Sequence, residues 1–349
     1  MKFFDFLSLF VFLVFCQLSF GNTNDSIPTI STINLEKIPY KSIHNFWLEI
    51  GKDAFNNPIK VPIIIAKGKE DGKTLGLTAA IHGNELNGIP IIQSVFKSLD
   101  ISKLKGVIIA VPGLNTVAIF NNKRRFSDQV DLNRIFPGKK NGNTSQQIVY
   151  QIYHKIIKLF DFHIDMHTAS FGRTNSMYVR ANLRDSTLAM MSKLQNPDII
   201  LASKGSPSFG NLASQTLRAT AMQQGTYSIT VEYGNPQVYQ PKMIKRGVQG
   251  IQNLLAWLAM TDAGFSLSKK PLICSKSNWI YTDKGGFLEI PVSLTQKIRK
   301  GQIIGILKNP FGDIIKKYIA PEDGIVIGKS TNPICVSGSR IIHLGTLKK

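Results

Sequence analysis

Two short segments of the chain carry histidine and acidic residues at spacings that suit metal binding. The first, residues 80–85 with the sequence AIHGNE, stands where a predicted strand ends and a predicted helix begins. His82 and Glu85 are three residues apart, so both side chains can turn toward one point as the chain enters the helix. The spacing is also common by chance. A surface histidine followed by a glutamate that favours the helix dipole is the alternative interpretation.

The second segment, residues 163–168 with the sequence HIDMHT, ends another predicted strand. Alternation along a strand places His163, Asp165 and His167 on one face. His167 is the natural third ligand, Asp165 is a candidate for orienting a ligand, and His163 is expected to lie deeper as a core residue. Two histidines and one glutamate with an open fourth position form the ligand set of a catalytic zinc site. Together the segments predict one Zn²⁺ per chain, held by His82, Glu85 and His167.

A third candidate is Glu232, which closes the apolar run of residues 229–234, ITVEYG. A carboxylate in such a run is costly unless it has a function or a partner. The functional interpretation is a general base that takes a proton from water beside the metal. The alternative is a salt bridge with one of the many basic residues, and this segment alone favours neither.

Arginine residues cluster in residues 124–126, RRF, and again in residues 131–138, DLNRIFPG. The arginine side chain offers a rigid fork that matches a carboxylate in bidentate fashion. Asn133 and Arg134 together can clamp a substrate carboxylate, and Arg125 can polarise a scissile carbonyl and stabilise an oxyanion. A solvated basic loop is the alternative interpretation.

The elements that must position these residues follow from the apolar pattern. Strands are predicted at residues 61–66, 74–81, 107–111, 162–166, 177–180 and 227–232, and helices at 85–99, 145–160, 211–224 and 243–260. Near-continuous apolar strands that alternate with helices predict an α/β domain, residues 22–262, whose sheet is mostly parallel or mixed. After a linker at 261–270, short β-type runs with frequent glycine and proline predict a separate small all-β domain, residues 271–349, of barrel or sandwich type.

Residues 1–21 differ from the rest of the chain. Lys2 is followed by an apolar run, and small residues precede a plausible cleavage point after Gly21, which is typical of a secretory signal peptide. We therefore expect an exported protein, periplasmic or secreted. An uncleaved anchor is the alternative, because about 18 apolar residues can just span a bilayer. A lipoprotein at Cys16 is less favoured, since the preceding Phe15 is bulky.

Composition limits the class of protein further. The 349 residues suit two domains, and the formal net charge of +20 favours an anionic partner. No nucleic-acid-binding motif occurs, so nucleic acid is not predicted as a partner. Cys274 and Cys335 lack a CxxC setting, and they are either a disulfide pair or two buried thiols. The sequence also lacks HExxH, GxSxG and P-loop motifs.

Four motifs in order give the chain a more specific resemblance. They are HGNE at residues 82–85, DLNRIF at 131–136, DMHT at 165–168 and TVEYG at 230–234. In this order and context the chain resembles the succinylglutamate desuccinylase/aspartoacylase family of the zinc carboxypeptidase-like superfamily, over roughly residues 45–349. The resemblance implies a carboxypeptidase-like mixed sheet flanked by helices, with a small C-terminal β domain.

The resemblance also implies roles for individual residues. His82, Glu85 and His167 would bind zinc, and Glu232 would act as general base and then as general acid. Arg125 resembles the family's arginine beside the carbonyl, and the family's carboxylate clamp matches Asn133 and Arg134. The tail from residue 300 to residue 324 is similar to the barrel-sandwich of biotinyl and lipoyl carriers, but it lacks a carrier lysine, so no covalent cofactor is predicted.

The predicted function is hydrolysis of an amide bond in an N-acyl amino acid or a similar small substrate that bears a carboxylate. A periplasmic metallocarboxypeptidase acting on cell-wall or other peptides is the alternative, and a non-catalytic carboxylate-binding module is a further one. The export signal departs from the best-known relatives, which leaves the substrate open. Membrane contact is expected only through an uncleaved signal segment, and the oligomeric state is not predicted.

Overall fold

The computed structural model describes residues 26–203, 215–267 and 270–348, so the predicted signal peptide lies outside the described residues. Within these ranges the strands are β1 (Thr29–Ile30), β2 (Ser42–Lys52), β3 (Pro58–Lys67), β4 (Thr74–Ala79), β5 (Val107–Val111), β6 (Phe162–His167), β7 (Arg173–Asn175), β8 (Met177–Ala181), β9 (Ile199–Ala202), β10 (Tyr227–Tyr233), β11 (Leu272–Tyr281), β12 (Gly286–Glu289), β13 (Lys297–Ile298), β14 (Ile303–Lys308), β15 (Ile314–Ile319), β16 (Gly324–Ser330), β17 (Ile334–Cys335) and β18 (Arg340–Leu347). The α-helices are α1 (Gly88–Ser98), α2 (Thr116–Phe120), α3 (Thr144–Lys155), α4 (Ser186–Leu194), α5 (Leu217–Gln223) and α6 (Pro241–Trp257).

A 14-stranded sheet organises the chain in the order β1-β2-β3-β5-β4-β6-β10-β8-β9-β11-β18-β16-β13, with β7 paired to β16. Strands β5, β4, β6 and β10 are parallel to one another, whereas β3 and β8 run antiparallel to their neighbours β5 and β10. The predicted α/β architecture with a mixed sheet flanked by helices is therefore confirmed.

The central strands are buried on both faces because their residues alternate between two cores. In β5, Ile108 and Ala110 pack with helices α1, α4 and α6, while Ile109 and Val111 pack with α3 and α5 on the opposite face. Full burial of such an aliphatic side chain contributes roughly 1.5–3 kcal/mol. This two-sided burial explains why these strands read as continuous apolar runs in the sequence.

The parallel strands bring the candidate residues to one edge of the sheet. His167 is the last residue of β6, and Glu232 pairs with it in register from β10. The chain leaves β4 through Ala80, which has a positive φ of 57°, and reaches His82 in the following turn. Ligands of open α/β sheets gather at this edge, beyond the carboxyl ends of the strands.

Residues 270–348 form two sheets. Strands β11, β18, β16 and β13 extend the main sheet, because β11 pairs in parallel with β9. Strands β15, β14, β12 and β17 form a second, antiparallel sheet with a core of its own. Since the main sheet continues past the linker, the division into two domains at residues 262 and 271 stays a prediction. Cys274 and Cys335 are buried free thiols, in β11 and β17 respectively.

Several predicted boundaries differ from the structure. The helix predicted from residue 85 begins at Gly88. Glu85 instead closes a turn, in which its backbone N–H donates to the carbonyl of His82 (3.0 Å). The helix predicted at residues 145–160 is α3, Thr144–Lys155, and its start is capped by Asn143 in a capping box with Gln146. Among the described residues, no helix has the length and apolar character needed to cross a bilayer.

Candidate active site

His82, Glu85 and His167 meet in one buried cluster, in which their donor atoms all lie within 4.8 Å of one another. The Nδ1 atom of His82 lies 3.0 Å from Oε1 of Glu85, and Nδ1 of His167 lies 2.8 Å from Oε2 of the same carboxylate. The Nδ1 atom of His82 is buried and makes no hydrogen bond. The structure therefore brings together the three residues that the sequence proposed as metal ligands.

A second carboxylate lies behind each histidine. The Nε2 atom of His82 is 3.0 Å from Oδ1 of Asp131, and Nε2 of His167 is 2.9 Å from Oδ2 of Asp165. A ring nitrogen that donates to a carboxylate leaves the lone pair of the other nitrogen free for a metal. Asp165 thus lies where the sequence placed an orienting partner, whereas the matching position of Asp131 was not predicted.

Charge in this cluster is balanced internally. Burial works against an ionised Glu85, but His82 and His167 outweigh it and hold the pKa of Glu85 well below its usual value. Burial likewise opposes a charged His167, yet Asp165 and Glu85 raise the pKa of His167 well above its usual value. A nitrogen, nitrogen and carboxylate donor set with an orphaned buried nitrogen fits a divalent metal ion such as Zn²⁺.

A buried hydrogen-bond chain supports Asp165 from below. The hydroxyl of Thr78 donates to Oδ1 of Asp165 (3.1 Å), so it must accept from Nε2 of His163 (2.9 Å). Nδ1 of His163 then accepts from the hydroxyl of Ser228 (2.8 Å). Burial lowers the pKa of His163 to about 4, consistent with a neutral ring. His163 is therefore the satisfied core residue that the sequence led us to expect.

Glu232 faces the cluster across a cavity of about 410 Å³. Nδ2 of Asn175 donates to its Oε2 (3.1 Å) and the hydroxyl of Tyr178 to its Oε1 (3.4 Å). Burial raises the pKa of Glu232, and the nearby Glu85 carboxylate adds to that effect. No lysine or arginine within the described ranges forms an ion pair with Glu232, so the salt-bridge alternative has no partner in the structure. A buried carboxylate with a raised pKa suits proton transfer.

Asn133 and Arg134, the predicted carboxylate clamp, also line the cavity. They belong to a 3₁₀ helix, Leu132–Arg134, whose start is capped by the side chain of Asp131. Oδ1 of Asn133 accepts from the backbone N–H of Leu217 (2.7 Å), which directs its Nδ2 toward Nε2 of His167, 3.4 Å away. The two side chains are therefore placed to meet a ligand beside the metal cluster.

Arg125 is not at the site, which corrects the sequence prediction. It is exposed, and its guanidinium donates to the carbonyl of Gln129 (3.3 Å). The neighbouring Arg124 lines the cavity instead and contacts Glu85 and His82. The buried Phe126 anchors this turn, which presents Arg124 to the cavity and Arg125 to solvent.

The cavity lining also includes four arginines that no local motif indicated. We call Arg173, Arg180, Arg218 and Arg340 the arginine wall. None of the four forms an ion pair with an aspartate or glutamate in the part of the chain that the structure describes. Burial, together with the nearby Arg180, lowers the pKa of Arg218 to about 10.

Neutral groups serve as partners of the arginine wall. Arg180 donates to the hydroxyl of Tyr178 (2.9 Å), and Arg218 donates to the hydroxyl of Ser203 (3.0 Å). Arg173 and Arg340 lie 5.9 Å and 5.5 Å from the centre of the Trp279 ring. Trp279 and Arg340 come from β11 and β18. The C-terminal region, residues 270–348, therefore supplies part of the cavity lining.

Comparison with known proteins agrees with the geometry. Residues 71–258 match the model of the succinylglutamate desuccinylase/aspartoacylase catalytic domain. The chain is 25% identical over 303 residues to the N-alpha-acetyl-L-2,4-diaminobutyric acid deacetylase of Halomonas elongata, covering 84% of this chain and 85% of that protein.

Solved structures with the same fold include two bacterial proteins. One is the product-bound ectoine utilization protein EutE (DoeB) from Ruegeria pomeroyi, with a TM-score of 0.78 and 17% identity over 89% of this chain and 97% of that one. The other is a succinylglutamate desuccinylase/aspartoacylase from Rhodobacter sphaeroides, with a TM-score of 0.79 and 18% identity over 92% and 100% of the two chains. At these identities the likeness establishes the fold.

Proposed function

Because the chain belongs to the succinylglutamate desuccinylase/aspartoacylase family, we propose that it is a zinc-dependent hydrolase that cleaves the amide bond of an N-acyl amino acid. One observation carries the proposal. The buried cluster of His82, Glu85 and His167 faces Glu232 across a single cavity, and Glu232 forms no ion pair with a described lysine or arginine. A metal site and a separate base on one cavity are what amide hydrolysis by water requires.

His82, Glu85 and His167 would hold one zinc ion per chain. When bound, zinc supplies a Lewis acid that polarises the amide carbonyl and increases the acidity of water. The protein contributes the fixed orientation of the ligands. Asp131 and Asp165 hold the two imidazole rings, so that both Nδ1 atoms point to the Glu85 carboxylate.

Glu232 would move the protons of the reaction. Its carboxylate accepts a proton from the attacking water and returns that proton to the amine nitrogen as the amide bond breaks. The raised pKa of Glu232 favours both steps, since it makes the carboxylate a stronger base than an exposed glutamate. Asn175 and Tyr178 hold the two carboxylate oxygens in place.

Arg124, Asn133 and Arg134 would orient the substrate. Asn133 and Arg134 offer an amide and a guanidinium for the substrate carboxylate beside the metal cluster. Arg124 takes the place that the sequence gave to Arg125, and its guanidinium would stabilise negative charge on the carbonyl oxygen.

The arginine wall supports a substrate with an additional anionic group. Four arginines that form no ion pair with a described carboxylate would repel a positively charged side chain and attract a negative one. The Halomonas elongata relative is named for 2,4-diaminobutyric acid, which carries a side-chain amine. We therefore propose that this chain prefers N-acyl derivatives of acidic amino acids to those of diamino acids.

The test is a mass-spectrometric screen of the zinc-loaded protein. Pools of N-acetyl and N-succinyl derivatives of acidic, neutral and diamino acids, together with muropeptides, are incubated with the wild type and with a Glu232→Gln control. We expect a free amino acid only with the wild type and fastest from the acidic pool. Release from muropeptides alone would replace the proposal with a carboxypeptidase. Zinc-loaded protein that hydrolyses none of the pools would overturn it.

Export forms a separate part of the proposal and is supported only by the sequence of residues 1–21. Fractionation of cells that produce the full chain tests it. We expect the protein outside the cytoplasm and shortened by the signal segment, and a full-length cytoplasmic protein would contradict export.

A further inference from the structure

The segment that contains Asn175 makes several backbone contacts with the C-terminal region. Strand β7 pairs only with β16 among the described strands, with Asn175 opposite Gly328. The adjacent Ser176 donates from its backbone N–H to the carbonyl of Ile327 (2.9 Å). At the other end of the segment, the backbone N–H of Thr331 donates to the carbonyl of Gly172 (2.8 Å). These contacts help to set the position of Asn175, together with the hydroxyl of Thr174, which donates to Asn235, and with the pairing of Met177 and Tyr233 between β8 and β10.

The side chain of Asn175 reaches from this segment to Glu232. It is buried, and its Nδ2 donates to Oε2 of Glu232 at 3.1 Å. The other carboxylate oxygen has only the longer contact with Tyr178, at 3.4 Å. Asn175 therefore provides the shorter of the two hydrogen bonds that orient the Glu232 carboxylate.

Gly328 makes room for this arrangement. A Cβ atom at residue 328 would lie 2.4 Å from Oδ1 of Asn175 and 3.0 Å from the carbonyl oxygen of Thr174. Gly328 does not have a positive φ, so its backbone conformation alone does not require glycine. The absence of a side chain matters here because the Asn175 carboxamide occupies the space.

We propose that strand β16 of the C-terminal region positions the general base, by holding Asn175 so that its carboxamide fixes the orientation of the Glu232 carboxylate. Asn175 is a positioning residue, since it acts through Glu232 and not on the substrate. The proposal rests on the catalytic role proposed for Glu232. It gives the C-terminal region a part in catalysis besides its contribution to the cavity lining.

The first test compares two substitutions of Asn175. Asn175→Ala removes the donor and leaves space, whereas Asn175→Asp keeps the shape but replaces the donor with a carboxylate that repels Glu232. We expect kcat to fall about tenfold or more in both variants, because a positioned base contributes ~10²–10⁴-fold to the rate and only a part of this should be lost. KM should stay within about twofold of the wild-type value, and the zinc content should not change. An Asn175→Asp variant with wild-type kcat would overturn the proposal, because shape alone would then suffice.

The second test acts from the C-terminal strand. Gly328→Ala should displace the Asn175 carboxamide and lower kcat. In an Asn175→Ala background, the same substitution should lower kcat little further. Gly324→Ala is the matched control, because its Cβ would meet the carbonyl of Gly345 on β18 at 2.5 Å and would strain the same strand away from Asn175. Two results would contradict the proposal that residue 328 acts through Asn175: additive effects of Gly328→Ala and Asn175→Ala on kcat, or an equal loss of kcat with Gly324→Ala. If Gly328→Ala does not fold, the Asn175 variants decide the matter.

Glu232→Gln separates this inference from the proposed function. If Glu232→Gln abolishes turnover while both Asn175 variants keep the wild-type kcat, the inference is wrong and the general base stands. If Glu232→Gln is itself fully active, the role of Glu232 is wrong and the inference falls with it.

Discussion

The two sides of the cavity handle buried charge in opposite ways. On the metal side, each carboxylate has close basic partners: Glu85 lies between two histidines and Arg124, and Asp131 pairs with Arg124 at 3.2 Å. On the arginine wall, Arg180 and Arg218 donate to hydroxyl groups and carbonyls. The carboxylates of the metal side therefore have close partners, whereas the arginines of the wall form no ion pair with a carboxylate in the described ranges.

This difference has an energetic meaning. A buried cation without a counter-ion is costly, and the lowered pKa of Arg218 reports that cost. Stability alone would favour pairing or removing these side chains, so their retention in a cavity points to a ligand that supplies the missing charge. Substitutions on the metal side and on the arginine wall should therefore affect different properties of the protein. The metal side should lose metal or turnover, and the arginine wall should lose substrate preference.

The largest effect is expected from Glu85→Gln, which keeps the shape of the side chain and removes its charge. Two imidazoles would then lack the anionic ligand, and we expect zinc affinity to fall by more than about 100-fold, beyond the usual cost of losing an outer partner. Metal content after dialysis and turnover are the measurements. Glu289→Gln, at an exposed salt bridge with Lys308, is the control and should retain both. Tight zinc binding by Glu85→Gln would contradict the ligand assignment.

The next effect distinguishes the two adjacent arginines. Arg124→Gln should lower kcat by about 10²–10³-fold, as expected for the loss of a donor to a developing oxyanion. Arg125→Gln should leave kcat within about twofold, because this guanidinium is exposed and bonded to a backbone carbonyl. Steady-state kinetics on the same substrate decide between them. A large loss of kcat with Arg125→Gln and a small one with Arg124→Gln would instead support the predicted role of Arg125 beside the carbonyl.

The metal side was largely predictable from sequence because its signals are local. The motif around His82 follows the largely apolar strand β4, and the motif around His167 ends β6, in which apolar and polar residues alternate. The carboxyl ends of parallel strands must meet at one edge of the sheet. Asp131 was harder, because its contact with His82 joins residues 49 positions apart. Its place in the DLNR motif was visible, but the motif gave no sign of which side chain would turn to the metal cluster.

The arginine wall could not have been predicted in this way. Arg173, Arg180, Arg218 and Arg340 come from four separate elements or loops, and none lies in a motif with a recognisable spacing. The net charge of +20 was the only sequence signal, and it does not say where cations gather. Strand β2 was missed for a related reason, since its residues alternate in exposure and give no continuous apolar run.

The arginine wall should also influence the general base, because the hydroxyl of Tyr178 contacts both Arg180 and Glu232. Glu232 works as a base only when ionised, and burial raises its pKa, while Arg180 opposes that rise. Activity should therefore be full above this pKa and should fall as pH drops through it. Arg180→Gln removes the opposing cation, so the acid limb of the kcat/KM profile should move to higher pH. Arg125→Gln is the control, and an acid limb that stays in place in Arg180→Gln would show that Arg180 does not act on Glu232.

The smallest effect is expected at Arg340, where the arginine wall stacks on Trp279. Its charge acts on the substrate in partly solvated surroundings, so Arg340→Gln should raise KM for an anionic substrate by no more than about fivefold. The difference should vanish near 1 M salt, where the screening length falls to about 3 Å. KM is measured at low and high salt, with Arg184→Gln, at an exposed arginine outside the cavity, as the control. An increase in KM that persists at high salt would indicate that Arg340 contributes by packing on Trp279 and not by its charge.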